Sequence, residues 1–144
     1  MYKKIFTIII LISLAKSFAF SQCNQKLVTY CTSKVKEDAT FIREYRARLT
    51  EKSTAEIPVA RYSVLLTKGN TYRFNICSAL DYEGEGVIQL FDEDQLVAST
   101  FHTESKTNFE GFEFSCNKTA IYKMYISFLE GKEGCAVTVL SLVK

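Results

Sequence analysis

The sequence predicts a mainly β protein: an antiparallel β-sandwich, jelly-roll-like, with about eight strands and one short N-terminal helix after a signal peptide. Two observations lead to this fold class. Beyond Pro58, apolar side chains alternate with polar ones in many short segments, and turn-forming residues separate those segments at regular spacing. Between the segments there is no room for the crossover helices that an α/β fold requires.

The composition is that of one globular domain. The chain has 144 residues, of which 47% are hydrophobic and 24% charged, so disorder, collagen and coiled coil are excluded. Its 18 basic and 16 acidic residues give a formal net charge of +2. A nearly neutral chain has no strong positive potential to attract a phosphate backbone, and we therefore expect no nucleic acid partner.

Residues 1–21 are predicted to be a secretory signal peptide. Lys3 and Lys4 form the basic start, Ile5–Leu14 is the apolar run, and the small residues Ala19 and Ser21 precede the expected cleavage point. The run is too short to span a bilayer, which needs about 20 apolar residues. The remaining domain, 22–144, is therefore expected to be exported, periplasmic or extracellular, without a transmembrane segment.

Two alternatives to cleavage stay open. The N-terminal segment could be retained as an anchor, although Lys16 interrupts its apolar character. Alternatively, the chain is a lipoprotein in which Cys23 carries the lipid, with Phe20-Ser21-Gln22 as a degenerate lipobox. Gln22 is larger than the residue that this processing favours, but lipid on Cys23 would leave four cysteines to pair evenly.

The first elements of the mature chain are predicted to be a helix and a strand. Residues 24–37 place Leu27, Val28, Cys31 and Val35 on one helical stripe. The expected role of this helix is to cover one end or edge of a sheet. Thr40–Thr50 fits both helical and strand periodicity, and we interpret it as a strand.

The alternation of apolar and polar side chains is clearest on both sides of Lys68-Gly69-Asn70. The segments 62–66 and 71–77 are predicted to form a hairpin around this turn. A second hairpin is expected at the turn 130–133. The last segment, 134–143, is almost wholly apolar, as a central strand buried on both faces would be. The other predicted strand segments are 87–91, 96–101, 112–116 and 120–129.

Five cysteines follow the leader, and in an oxidising compartment at least one must be unpaired. We favour a disulfide between Cys116 and Cys135, which would close a loop of about 20 residues. The alternative is that both are buried free thiols. The lone His102 and the absence of a CxxC motif argue against a metal site made by these thiols.

Several of these segments together resemble the bacterial pre-peptidase C-terminal (PPC) domain family. The likeness covers 59–143 and implies a secreted β-sandwich that serves beside an enzyme as an accessory module. The whole chain is in addition similar to small exported proteins of Bacteroidetes that end in Gly-Lys-Glu-Gly-Cys-Ala-Val, here Gly131–Val137, and this likeness implies an envelope location but no activity. The segments that carry the PPC-like pattern are Tyr62–Phe74, Ile88–Asp92, Val97–Ser99, Phe112–Phe114 and Tyr122–Ile126.

Catalysis is not expected. His102 is the only histidine and lacks the glycine elbow that exposes a nucleophile. We predict an exported, non-enzymatic interaction or ligand-binding module whose partner is an unknown protein or glycan of the cell envelope. The alternative is a small extracellular hydrolase that uses carboxylates in turns, such as those of Asp81 and Asp92.

Binding is expected at two acidic loops, 81–86 and 92–95, because rigid sandwiches present function on loops. Tyr82 and Tyr125 could add an aromatic platform for a sugar. No cofactor is expected; the acidic turns offer oxygen ligands for calcium, but their spacing matches no established calcium loop. The simpler interpretation is that these residues serve turn structure and solubility. The candidate binding residues are Asp81, Tyr82, Glu83, Asp92, Asp94 and Tyr125.

Overall fold

The computed structural model describes residues 23–144, and the predicted leader at 1–21 lies outside these described residues. One helix precedes a series of short strands in this part of the chain. No helix within residues 23–144 is long and apolar enough to cross a membrane. The elements are α1 Gln25–Ser33, β1 Ala39–Leu49, β2 Ala60–Leu66, β3 Thr71–Ser78, β4 Gly86–Asp92, β5 Gln95–Ser99, β6 Phe101–His102, β7 Thr107–Asn108, β8 Gly111–Ser115, β9 Ala120–Phe128 and β10 Gly134–Val143.

The strands form two four-stranded antiparallel sheets. Sheet A has the order β1-β10-β3-β8, and sheet B has the order β2-β9-β4-β5. The two-residue strands β6 and β7 make a separate small ribbon. The predicted fold class, mainly β and antiparallel with about eight principal strands, is confirmed.

The core lies between the inner faces of the two sheets. Alternate residues of β9, from Tyr122 to Phe128, are buried there, whereas Ile121 and Lys123 point outward. Sheet A contributes Phe74 and Leu140 to the same cluster. The period-two pattern of the sequence therefore marks the faces of the strands correctly.

The central strand of sheet A is β10, as its apolar sequence predicts. It pairs with β1 on one side and with β3 on the other. Ala136 and Leu140 face the core between the sheets. Val137 and Val139 face the opposite way and are buried under α1, so both faces of this strand are covered.

The two predicted hairpins are wrong, although the strands themselves are correct. The turn at Lys68–Asn70 leads from β2 in sheet B to β3 in sheet A, and 129–133 leads from β9 in sheet B to β10 in sheet A. At the first turn, Gly69 has φ 90° and its amide donates to the carbonyl of Cys116 at 2.8 Å. Alternation shows which face of a strand is buried, but it does not identify the neighbouring strand.

Helix α1 is shorter than the predicted 24–37. Asn24 caps its N-terminus, because the side-chain oxygen accepts a hydrogen bond from the amide of Leu27 at 3.2 Å. Val28 and Cys31 are buried against the outer face of sheet A. The helix therefore covers the face of a sheet rather than its end or edge.

Two disulfides join the N-terminal segment to sheet A. Cys23 pairs with Cys135 and Cys31 pairs with Cys77, with Cα–Cα distances of 5.5 and 5.7 Å. The favoured pair of Cys116 with Cys135 is therefore wrong. Cys135 lies on the outer face of β10, two residues before Val137, whereas Cys116 is a free thiol buried in the core between the sheets.

The pairing of Cys23 bears on the lipoprotein alternative. A sulfur bonded to Cys135 cannot also hold a thioether-linked lipid, so this disulfide argues against lipid on Cys23. Two disulfides in one small chain are consistent with an extracellular or periplasmic location.

Lys34 follows α1, and its backbone amide closes the helix by donating to the carbonyl of Cys31.

Candidate functional site

A groove with a volume of about 830 Å³ lies between α1 and the end of β3. We call it the α1–β3 groove. The segment 108–110, which precedes β8, and the loop that follows β3 also line it. Its lining residues are Asn24, Lys26, Leu27, Tyr30, Lys34, Ile76, Cys77, Ser78, Ala79, Leu80, Asp81, Glu85, Gly86, Asn108, Phe109 and Glu110.

The groove exists because β8 begins too late to accompany the whole of β3. The ladder between the two strands reaches Asn75 opposite Gly111, and the amide of Ile76 donates one further hydrogen bond to the carbonyl of Glu110 at 2.8 Å. Before that point the chain turns away, since the amide of Phe109 donates to the carbonyl of Thr100 at 2.9 Å. The last residues of β3 therefore lose their neighbour on this side.

Asn108 holds this divergent segment in place. Its side-chain amide donates to the carboxylate of Glu85 at 2.9 Å and to the backbone carbonyl of Gly86 at 3.0 Å. The amide of Gly86 in turn donates to the hydroxyl of Ser78 at 2.9 Å. The loop after β3 and the segment before β8 are thus tied together at one end of the groove.

The helical side is fixed by covalent and ionic contacts. The disulfide of Cys31 and Cys77 anchors α1 to the strand that lines the groove. The ammonium of Lys34 lies 3.3 Å from the carboxylate of Glu110 and 4.8 Å from the ring centre of Tyr30. Hydrogen bonding with Tyr30, and to a smaller extent with Glu110, raises the pKa of Lys34 above its ordinary value.

Three large hydrophobic side chains are exposed around the groove. Leu80 is fully exposed, Tyr30 is 55% exposed and Phe109 is 47% exposed. Phe109 also packs edge to face on His102, with 4.9 Å between the ring centres. Tyr30, Leu80 and Phe109 come from three different segments, so the fold brings together apolar surface that no single stretch of sequence contains.

The charges on the two sides of the groove differ in sign. Lys26 lies on α1 and Asp81 lies on the loop after β3; neither has an ion-pair partner among residues 23–144. Glu85 is engaged by Asn108. The groove therefore has a basic side with an available ammonium and an acidic side with an available carboxylate.

The structure separates the two predicted binding loops. They lie at opposite ends of β4, because Gly86 begins this strand and Asp92 ends it. Seven extended residues span about 20 Å. Asp81, Tyr82 and Glu83 therefore do not meet Asp92 and Asp94 in one site, and only Asp81 lines the α1–β3 groove.

The neighbours of Asp81 in its loop have structural contacts elsewhere. The guanidinium of Arg48 lies over the ring of Tyr82, 4.7 Å from the ring centre. The carboxylate of Glu83 is 3.8 Å from the ammonium of Lys132. These contacts direct both side chains toward the sheet A side of the loop rather than toward a common binding surface with Tyr125.

The second acidic turn is held by lysines. Asp92 lies 3.1 Å from the ammonium of Lys118, and Asp94 lies 3.1 Å from that of Lys123. The hydrogen bond and charge of Asp94 raise the pKa of Lys123. This turn therefore has the contacts of an ordinary β4–β5 connection.

Tyr125 lies on the outer face of sheet B. Its ring contacts that of Phe91, with 5.0 Å between the centres, and the guanidinium of Arg61 lies 5.3 Å from its centre. Tyr82 and Tyr125 thus belong to different surfaces, and the structure does not combine them into one aromatic platform.

The geometry offers little support for the predicted hydrolase alternative across the two loops. The paired carboxylates of glycosidases lie about 5 to 10 Å apart, which is less than the length of β4 that separates Asp81 from Asp92. Within residues 23–144, no group of three or more His, Cys, Asp or Glu residues is arranged to hold a metal ion. Asp81 and Asp92 are too far apart to form such a pair of carboxylates.

Most of the groove was not predicted as a binding site. Asp81 is among the residues predicted from the sequence, whereas Tyr30, Leu80 and Phe109 are not. Two of these residues could have been found from the sequence. Leu80 and Phe109 are large apolar side chains beside loops that are otherwise polar, a pattern that indicates exposed apolar surface. Their approach to α1 depends on the Cys31–Cys77 disulfide, which sequence spacing did not indicate.

Neither a scan against protein-family models nor a search of curated proteins finds a match for this chain. The resemblance to the PPC family therefore stays a prediction that depends on the sequence segments themselves.

Proposed function

We propose that the chain is an exported, non-catalytic binding module that holds its ligand in the α1–β3 groove. The observation that carries the proposal is the cluster of exposed Tyr30, Leu80 and Phe109 around a concave surface. Contiguous exposed apolar surface with a few polar groups is typical of binding sites. The partner we propose is a protein or glycan of the cell envelope.

Three features support export and an accessory role. The predicted leader at 1–21 would direct the chain out of the cytoplasm. The two disulfides need an oxidising compartment to form and persist. The resemblance to the PPC family implies a sandwich that assists other proteins, which agrees with a binding role in the periplasm or outside the cell.

Binding is favoured over catalysis by the arrangement of the reactive groups. His102 packs on Phe109, and no hydrogen bond or ion pair joins it to an acid among residues 23–144. Asp92 and Asp94 are each paired with a lysine. A nucleophile, a base and an orienting acid must lie within hydrogen-bond reach of one another for acyl transfer by a triad, and the described acids do not meet this condition with His102.

A binding screen with matched variants tests the proposal. The disulfide-bonded chain, its Leu80→Ser and Phe109→Ser variants and a Leu65→Ser control would be applied to a peptide library, a glycan array and anionic phospholipid vesicles. Leu65 is a suitable control because it is 67% exposed on the outer face of sheet B, away from the groove. Circular dichroism and thermal melting would show that every variant is folded.

We expect at least one probe class to bind the unmodified chain and the Leu65→Ser control equally. The same probe should bind the Leu80→Ser and Phe109→Ser variants at least tenfold more weakly. Binding that is unaffected by the groove variants, or the absence of binding to all three probe classes, would overturn the proposed function.

A further inference from the structure

We propose that the ligand of the α1–β3 groove is an extended polypeptide segment of a partner protein, which joins the free edge of β3 at Ser78 as an antiparallel strand. This inference rests on the proposed function and specifies its ligand. Three features of the groove support it: the direction of the backbone groups at the end of β3, the path of the chain beside β3 and the charges on the two sides of the groove.

The backbone of Ser78 points into the groove. In an extended strand, the N–H and C=O groups of successive residues point alternately to opposite sides. The amide of Ile76 donates toward the β8 side, to Glu110, and the amide of Ala79 donates toward the β10 side, to Cys135, each at 2.8 Å. Ser78, two residues after Ile76, therefore presents its N–H and C=O to the β8 side.

No described strand uses this edge. Ser78 lies opposite Ala136 of β10, but the two residues form a non-hydrogen-bonded pair of the ladder. The N–H and C=O of Ser78 therefore do not bond to β10. On the other side, the register of β8 would place Asn108 opposite Ser78, but Asn108 is bound instead to Glu85 and Gly86. The N–H and C=O of Ser78 thus have no hydrogen-bond partner among residues 23–144.

A polypeptide is the ligand class that this edge recognises best. The free N–H and C=O of one strand residue match the C=O and N–H of a second extended chain, and such strand addition is a common mode of peptide recognition. A lipid tail satisfies neither group. The groove volume of about 830 Å³ also lies within the usual range for binding sites, about 300 to 1,000 Å³.

The charges and apolar groups define the side chains of this peptide. A strand at the β3 edge would run between α1 and the segment 108–110, with Tyr30 and Phe109 available for an apolar side chain. The ammonium of Lys26 complements an acidic residue and the carboxylate of Asp81 complements a basic one, since neither forms an ion pair with another described residue. We therefore expect a segment in which at least one apolar residue lies between residues of opposite charge.

The first test asks whether the peptide binds as a strand. Random heptapeptides with blocked termini would be selected on the disulfide-bonded chain, and the best peptide would then be resynthesised with one N-methyl group at each position in turn. If the peptide pairs with Ser78, methylation at one position, the residue whose N–H donates to the carbonyl of Ser78, should weaken binding at least tenfold. Methylation at the two residues next to it, whose N–H groups point away from β3, should have little effect.

The second test compares two substitutions of one residue. Both Ser78→Ala and Ser78→Pro remove the hydroxyl that accepts from Gly86, but only proline removes the backbone donor. Proline is tolerated where a strand N–H faces an open edge. We expect Ser78→Pro to weaken peptide binding at least tenfold and Ser78→Ala to change it by less than about threefold, with both variants folded by circular dichroism.

A charge reversal keeps the inference testable if Ser78→Pro fails to fold. Asp81→Lys should weaken the selected peptide, and changing the basic residue of that peptide to Glu should restore binding to the variant. Equal binding of both peptides to both proteins would contradict the expected charge pairing and overturn the inference.

The outcomes distinguish this inference from the proposed function. If a glycan or a vesicle binds in a way that needs Leu80 but tolerates Ser78→Pro, the strand proposal is overturned and the proposed function is kept. Self-association of the chain that Ser78→Pro abolishes would assign the edge to a second copy and would also overturn the proposed ligand. If no peptide, glycan or vesicle binds at the groove, both proposals are overturned.

Discussion

The outer face of sheet A is covered by α1, whereas the outer face of sheet B is not covered by a helix within residues 23–144. On sheet A, Val137 and Val139 are fully buried under α1 although they point away from the core between the sheets. On sheet B, the facing residues Leu65 and Ile121 are 67% and 66% exposed. The same kind of apolar side chain is therefore buried on one face and hydrated on the other.

The difference shows what makes a binding groove in this fold. An exposed apolar pair such as Leu65 and Ile121 lies on a flat sheet face, where a ligand can be contacted only from one side. On sheet A, α1 stands above the end of β3 and gives the groove a second wall. A concave surface buries more of a ligand than a flat one does, so the covered face is the stronger candidate for binding.

The covering helix depends on the disulfides. Isolated helices shorter than about 12 to 15 residues are marginal in water, and α1 has nine residues. Its own apolar contribution is small, since Val28 and Cys31 are its buried residues. We infer that Cys23–Cys135 and Cys31–Cys77 hold α1 in place on sheet A.

The largest expected effect follows from removing the covalent anchor of α1. The double variant Cys31→Ala with Cys77→Ala should lower the free energy of unfolding by about 2 to 4 kcal/mol, because the bond crosslinks residues 46 apart in sequence. Urea unfolding at equilibrium measures this change. Amide hydrogen exchange should show that α1 loses protection before the strands of sheet B do.

Cys116 provides the matched control for this prediction. It is a buried free thiol in the core and has no disulfide to lose. Cys116→Ala should therefore cost less stability than the double variant and should leave the protection of α1 unchanged. Thiol titration of the denatured, unreduced chain should find one reactive sulfhydryl. Protection of α1 that survives loss of the Cys31–Cys77 bond would show that apolar packing alone holds the helix.

A smaller effect separates the two outer faces directly. Val139→Ala should destabilise the chain by about 2 kcal/mol, because it removes buried methyl groups and leaves a cavity under α1. Leu65→Ala on the outer face of sheet B should change stability by less than about 0.5 kcal/mol, because that side chain is mostly hydrated. Both values come from urea unfolding. Equal losses would mean that the two faces are covered to a similar extent in solution.

The sequence predicts the strands and their buried faces better than it predicts how the strands are arranged in the two sheets. Alternation in Tyr122–Phe128 and the apolar run of β10 identify strands and buried faces, since these patterns are local consequences of strand geometry. The same patterns cannot show that β2 and β3 lie in different sheets. That assignment depends on contacts between residues far apart in the sequence.

The candidate site was predicted less well, for the same reason. Asp81 was identified because acidic loops are visible in the sequence, whereas the α1–β3 groove needs β8 to diverge from β3 and α1 to be crosslinked above them. The pairing of Cys116 with Cys135 was a reasonable prediction from loop length. It was wrong because the two side chains lie on opposite faces of sheet A.

The smallest expected effect concerns surface charge on the two faces. On sheet A, the guanidinium of Arg73 contacts the carboxylates of both Asp38 and Glu113. On sheet B, Lys123 contacts Asp94, whose side chain is 99% exposed. Exposed ion pairs contribute little because solvent screens them. The pair on sheet A has the better geometry, since Arg73 donates two hydrogen bonds to Asp38, at 2.9 and 3.0 Å.

The hydrogen bonds from Arg73 lower the pKa of Asp38 in the folded chain below its ordinary value of 3.8. Since the unfolded chain has the ordinary pKa, the ionised Asp38 contributes its full stabilisation above that value, and the contribution is lost as the pH falls through the lower folded pKa. The urea midpoint of the unmodified chain should therefore fall more between pH 5 and pH 2.5 than that of Asp38→Asn. Asp94→Asn should follow the unmodified chain, and a parallel pH dependence of all three proteins would show that the Arg73 contact has no more effect on stability than the exposed pair on sheet B.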